Sequence, residues 1–138
     1  MSHRLVRCLC RAIEIRAEGE PSWVGLCHCE SCRRATGGVL LGAAGYPRER
    51  VSVTRGTVSY YASSPGVRRG FCSRCGTALS YENQRWAGDI HLMVGAFEAP
   101  ETLKPQFHLF AQERLPWLHL DDGLARYRTT PSAGEVME

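Results

Sequence analysis

The most reactive side chains in this sequence are its seven cysteines, which fall into three tight groups within 138 residues. They read Cys8-Leu9-Cys10, Cys27-His28-Cys29-Glu30-Ser31-Cys32 and Cys72-Ser73-Arg74-Cys75-Gly76, and no cysteine lies outside a group. Cysteines serving only as small core residues would scatter. Metal-binding thiolates come in close pairs, because one tight turn can aim two sulfurs at one ion. A disulfide scaffold is a poor alternative. The count is odd, and the opening residues Met1-Ser2-His3-Arg4-Leu5-Val6-Arg7 lack the apolar stretch of a secretion signal, so a reducing, cytoplasmic address is expected.

Counting ligands sharpens the expectation. A closed structural zinc takes four protein ligands, whereas an open, reactive zinc takes three plus an exchangeable partner. Seven sulfurs divide as four and three. In one partition Cys8, Cys10, Cys72 and Cys75 staple two hairpins, and the compact Cys27, Cys29, Cys32 cluster caps a second ion from a single loop. In another, Cys27 and Cys29 join Cys72 and Cys75, and the other three face the open ion. Spacing alone leaves both standing. A redox reading of Cys72-x-x-Cys75 would need a thioredoxin-like βαβ context, but the flanking residues, Gly70-Phe71 before it and Thr77-Ala78-Leu79-Ser80-Tyr81 after it, read as hairpin and strand.

Among the histidines, His28 lies between two cysteines. In an extended segment its side chain points away from theirs, which places it at the surface or backing the cluster rather than among the ligands. His91 falls opposite Ile90, Leu92 and Val94, and His108 opposite Phe107 and Leu109, as polar positions that can orient a ligand. His3 and His119 carry no readable signal. The net charge of +3 is too mild for an electrostatic footprint on nucleic acid or membrane, and no apolar run approaches the roughly eighteen residues of a membrane span. All but one of the 17 basic residues are arginine, whose planar fork suits carboxylates and phosphates. Arg33 and Arg34 stand beside the middle cysteine group, either meeting such an anion or simply facing solvent.

The elements that must position these groups read as mostly β. Period-two alternation recurs at Ile13, Ile15 and Ala17, at Val51 and Val53, and over residues 57–61, 79–81 and 90–94. Turn chemistry separates them at Gly19-Glu20-Pro21-Ser22, Tyr46-Pro47-Arg48, Ser63-Ser64-Pro65-Gly66 and Asp121-Asp122-Gly123, so antiparallel pairing is expected. One helical turn is expected over residues 31–36, closed by Gly37-Gly38. The length suits one domain, taken as residues 1–128, with residues 129–138 a flexible tail. The aromatics Tyr60, Tyr61, Phe71, Trp86 and Trp117 are expected first as core, and second as walls of a peptide-sized pocket.

The ordered set Cys8-x-Cys10, Cys27-His28-Cys29-x-x-Cys32-Arg33-Arg34-x-Thr36-Gly37, Gly70-Phe71-Cys72-x-x-Cys75-Gly76 and Lys104-Pro105-x-x-His108 to Pro116-Trp117 closely resembles the glutathione-dependent formaldehyde-activating enzyme family. That family also takes in the centromere protein V domain. The resemblance spans about residues 5–122 and implies a β-tent fold of small antiparallel sheets pinned by zinc, with little helix. It implies two Zn²⁺ sites, with Cys8, Cys10, Cys72 and Cys75 holding a structural ion. Cys27, Cys29 and Cys32 would then be the catalytic, open site, and glutathione the co-substrate.

That chemistry makes physical sense without the family. Three thiolates on Zn²⁺ carry a net charge of −1, which weakens the ion as an activator of water and suits an incoming soft thiol. Arg33 and Arg34 could offset the charge or meet the thiol's carboxylate. The thiolate would add to an aldehyde carbon, or the reverse step would break the carbon–sulfur bond, which is lyase chemistry on an adduct such as S-hydroxymethylglutathione. The expected partners are a small thiol and an aldehyde, with no membrane and no nucleic acid. The alternative reading is a non-catalytic zinc module for nucleic-acid or protein partners, prompted by the zinc knuckles and arginine pairs such as Arg68-Arg69.

Overall fold

The computed structural model describes residues 2–133 and 136–137 of the chain. Twelve strands and one α-helix are found among them, so the protein is mostly β. The chain divides into two compact units, one of residues 1–23 and 44–103, the other of residues 24–43 and 104–138.

In the first unit β1 (His3–Arg7) and β2 (Glu14–Glu18) form an antiparallel hairpin, and β2 pairs on its other edge with β5 (Val51–Arg55). The alternation expected at Ile15 and Ala17 marks a true core face. Both are buried with Val6 and Ile13, each large aliphatic contributing about 1.5–3 kcal/mol by leaving water. The opposite face carries ion pairs such as Arg7 with Glu14 at 2.9 Å, which contribute little on a wet surface. On β5 the same pattern misleads, because Val53 is 46% exposed and no β5 side chain is buried.

A second sheet of this unit is an antiparallel meander of β6 (Ser59–Ser64), β7 (Val67–Phe71), β8 (Ala78–Asn83) and β9 (Asp89–Met93), with β4 (Leu41–Pro47) bordering β9. Leu79 and Leu92 are fully buried, and Tyr46 stacks on Phe97 at 6.5 Å while donating its hydroxyl to the Gly19 carbonyl. Gly45 is required where the Trp23 ring lies flush on β4, since a Cβ there would sit 2.3 Å from the indole. The aromatics divide differently from the expectation. Tyr60, Tyr61 and Trp117 are 43%, 67% and 63% exposed and belong to no core.

In the second unit β3 (Trp23–Cys27), β10 (Phe107–Leu109) and β11 (Ala125–Tyr127) run parallel, and β12 (Val136–Met137) is antiparallel to β11. The expectation of antiparallel pairing throughout therefore fails here. Local turn chemistry dictates antiparallel hairpins only between consecutive strands, and β10 joins β3 across a long stretch of chain that includes α1 (Glu30–Thr36). The helix is one residue longer than expected and is closed as foreseen by Gly37 in the left-handed region at φ 77°. Within the expected tail, Thr129 accepts from the Phe110 amide and Val136–Met137 pair with β11, while residues 134, 135 and 138 lie outside the described residues.

Candidate metal centres

The first centre is built from two hairpin loops of the first unit. After β1 the chain turns at Arg11, whose φ is 66°, with the Arg11 amide donating to the Cys8 carbonyl and the Cys8 amide to Ile13. After β7 the Cys72 amide donates to Thr77, the Gly76 amide donates back to Cys72, and Gly76 takes φ 80°. The Leu9 amide ties the loops together by donating to Thr77 Oγ1 at 2.9 Å. These turns bring the sulfurs of Cys8, Cys10, Cys72 and Cys75 within 4.8 Å of one another. Cys10 Sγ lies 3.7 Å from Cys8 Sγ and 3.8 Å from Cys72 Sγ. A tetrahedron of about 2.3 Å zinc–sulfur bonds has edges of about 3.8 Å, so this donor set fits zinc.

The charge state fits as well. The Thr77 hydroxyl and the amides of Thr77 and Cys10 hold the Cys75 thiol down at about 5. Burial works against the Cys8 thiolate but is outweighed by the Ile13 amide and by Cys10 and Cys72, so its pKa also falls. At Cys10 the Ala12 amide favours the thiolate, yet burial and the three neighbouring sulfurs push the pKa up to about 11. Several thiolates crowded together resist full ionisation until a cation neutralises them.

The second centre lies wholly in the second unit. Cys27 ends β3 opposite Leu109 of β10, and Cys29 is the N-cap of α1, its sulfur accepting from the Cys32 amide at 3.3 Å. Cys32 follows in the first turn of the helix and is buried, and Thr36 Oγ1 donates to its carbonyl. Strand end, cap and first helical turn thus bring the sulfurs of Cys27, Cys29 and Cys32 within 4.8 Å of one another. The Cys27 thiol is pushed far up by Cys29 and Cys32 and by burial, so a cation bound there would displace its proton. Each cluster is thus gathered within its own unit, four sulfurs in the first and three in the second.

Of the two positions expected for His28, the surface or behind the cluster, the structure takes the second. His28 is not at the surface but fully buried, and its Nε2 lies 2.9 Å from Nδ1 of the buried His108. His108 Nε2 lies 2.7 Å from Asp122 Oδ2. Neither His108 as a partner of His28 nor Asp122 as a site residue is visible in the sequence, where Asp121-Asp122-Gly123 reads only as a turn. The pairing depends on β10 lying parallel beside β3. Burial, then the nearby charges of His108, Arg114, Arg126 and Arg33, lower His28 to about 4. Burial works against the Asp122 carboxylate, but the Leu124 amide, His108 and Arg126 outweigh it and hold its pKa below the usual value. Arg33 Nε donates to the His28 carbonyl at 3.2 Å, whereas Arg34 is 81% exposed and pairs with Glu30. His91 sits apart in the first unit, ringed by Trp23, Tyr81 and Trp86. A cavity of about 690 Å³ in that unit, walled by Arg48, Pro65, Val67, Arg68, Glu82 and Gln84 among others, includes no cysteine.

With two cysteine clusters of unequal size in place, comparison with known proteins decides the family. Residues 3–113 match the family described as glutathione-dependent formaldehyde-activating enzyme. The chain belongs to this family. An uncharacterized lyase of Schizosaccharomyces pombe is 36% identical over 96 residues, covering 70% of this chain and 69% of that protein. A Halomonas elongata protein provisionally named a glutathione-dependent formaldehyde-activating enzyme is 28% identical over 125 residues, covering 83% of this chain and 78% of its own. The crystal structure of a Rhodobacter sphaeroides protein superposes with a TM-score of 0.59 at 23% identity, over 69% of this chain and 88% of that one, a likeness of fold. Among the described residues no helix is long and apolar enough to cross a membrane.

Proposed function

We propose that this chain is a zinc-dependent lyase acting on the carbon–sulfur bond of adducts between a small thiol, glutathione or a close analogue, and an aldehyde such as formaldehyde. The unequal division of the cysteines carries the reading. Cys8, Cys10, Cys72 and Cys75 supply all four ligands of a closed tetrahedron, and Cys27, Cys29 and Cys32 supply one fewer than a tetrahedron needs. Zinc bound by those three sulfurs would supply an electron-rich centre that prefers a soft thiol to water and lowers that thiol's pKa. Membership of the family and the similarity to a protein named as a lyase support the same chemistry.

The chain's own residues bind and orient. Arg34, whose exposed guanidinium pairs with Glu30, offers a fork to a substrate carboxylate, and Arg33 braces the His28 carbonyl. In adduct formation a sulfur electron pair bonds to the carbonyl carbon, the C=O π pair moves to oxygen, and the proton released by the thiol ends on that oxygen. The product is a hemithioacetal, and cleavage is the exact reverse.

Metal analysis of the purified protein is expected to find two zinc ions per chain. After replacement by cobalt, added glutathione should alter the absorption of one ion and leave the other unchanged. Cys29→Ser should abolish adduct turnover while the protein remains folded. Unchanged turnover in that variant, cystines in place of metal, or strongly salt-dependent nucleic-acid binding without affinity for thiols would overturn the proposal.

A further inference from the structure

A hydrogen-bonded chain runs from the exposed Asp122 through the buried His108 to the buried His28, between two cysteines of the three-sulfur centre. His28 and His108 are 0% and 1% exposed, and the two links measure 2.9 Å and 2.7 Å. The polarity of the chain follows from its outer end. A carboxylate only accepts, so His108 Nε2 carries a proton and donates it to Asp122. His108 Nδ1 faces His28 Nε2, so the ring bridges the carboxylate to His28. Asp122 is itself fixed by the Leu124 amide at 3.0 Å and by Arg126, whose guanidinium lies 3.8 Å away.

His28 is held at every other polar point except one. Its amide donates to the Leu109 carbonyl at 3.0 Å, and its carbonyl accepts from Arg33 Nε at 3.2 Å. The exception is Nδ1, which is buried without a partner. Burying two imidazoles and leaving one ring nitrogen unsatisfied is a poor way to fill a core, since an apolar side chain would fill the space without any desolvation. What the imidazoles provide is direction. In an extended segment, residues on either side of His28 share the opposite face, so pinning the His28 ring sets the orientation of both Cys27 and Cys29.

We infer that His108 and Asp122 are positioning residues for the three-sulfur centre, acting through His28 to hold Cys27 and Cys29 convergent with Cys32. The inference rests on reading those three cysteines as a metal centre. Residues that orient ligands from behind characteristically change metal affinity by 10–100-fold when removed.

The test uses the full-length protein loaded with cobalt, with a chelator in excess. Release is expected in two phases, one for each cysteine cluster, assigned by Cys29→Ser and Cys75→Ser. In His108→Leu and Asp122→Leu the phase assigned to Cys27, Cys29 and Cys32 should accelerate at least tenfold, with its sulfur-to-cobalt absorption band shifted. The four-cysteine phase should change less than twofold. Asp122→Asn keeps an acceptor oxygen for His108 and should restore most of the slow release, which a merely space-filling role would not require. If His108→Leu does not fold, Asp122→Leu, at an exposed position, carries the same test. Equal acceleration of both phases, or none in either, overturns the positioning role and leaves the metal centre standing. A single bound cobalt in the unaltered protein removes the centre and the inference together.

Discussion

The two clusters should differ sharply in what they contribute to stability, and Cys72→Ala in the metal-loaded protein tests the difference. Cys10 and Cys72 are 62 residues apart, so an ion joining their loops closes a long segment of the unfolded chain. Treated as a rigid cross-link, closure of that loop stabilises the fold by about 4 kcal/mol. Cys27, Cys29 and Cys32 lie within about five residues, for which the same relation returns about 2 kcal/mol. Cys72 and Cys32 are 1% and 8% exposed, so truncating either costs similar packing and the comparison isolates the cross-link. With the entropy of unfolding expected for a chain of this length, Cys72→Ala should lower the melting temperature by about 15 °C and Cys32→Ala by about 7 °C. Differential scanning calorimetry at fixed metal and protein concentration reads both. Equal decrements, or a larger one for Cys32→Ala, would refute the assignment of the four-cysteine cluster as the staple of the first unit.

Other outcomes follow from the same structure. Gly45→Ala places a Cβ 2.3 Å from the Trp23 indole and should destabilise by about 1–3 kcal/mol, seen in denaturant unfolding and in altered near-ultraviolet dichroism of the tryptophan. His91 is lowered to about 4, chiefly by burial and against the pull of Asp89, so its contribution is whole above its unfolded pKa near 6.5 and is lost as pH falls toward 4. That loss amounts to at most about 3 kcal/mol. His91→Phe, which keeps a ring among Trp23, Tyr81 and Trp86, should remove this part of the acid sensitivity, checked by urea melts at pH 6.5 and 4.5. Glutathione at about one hundred times its dissociation constant should stabilise the metal-loaded protein by about 2.7 kcal/mol in a thermal melt, and Cys29→Ser should abolish the shift.

Where local rules govern, the sequence was an adequate guide. The alternation at Ile15 and Ala17 marks a core face because β1 and β2 are consecutive and their turn enforces the hairpin. Gly37 closes α1 because a left-handed residue is needed there whatever surrounds it. Val53 obeys the same alternation and remains exposed, since periodicity states which residues share a face and not whether anything covers it. The exposed Tyr61 and Trp117 make the same point for aromatics.

Composition and spacing by themselves determined that seven thiols group into turns and that the chain is mostly β, because ligand pairing within a turn is a short-range property of the chain; the ordered motifs carried the resemblance to the family, which the match over residues 3–113 shows. Which groups meet was decided only by the tertiary structure. The loops at Cys8 and Cys72 come from different sheets and are tied by the Leu9 amide to Thr77 Oγ1, and His28 finds His108 and Asp122 because β10 lies parallel to β3. A parallel contact between distant strands leaves no mark in local turn chemistry, so the hydrogen-bonded chain behind the three sulfurs emerges only when β10 pairs with β3.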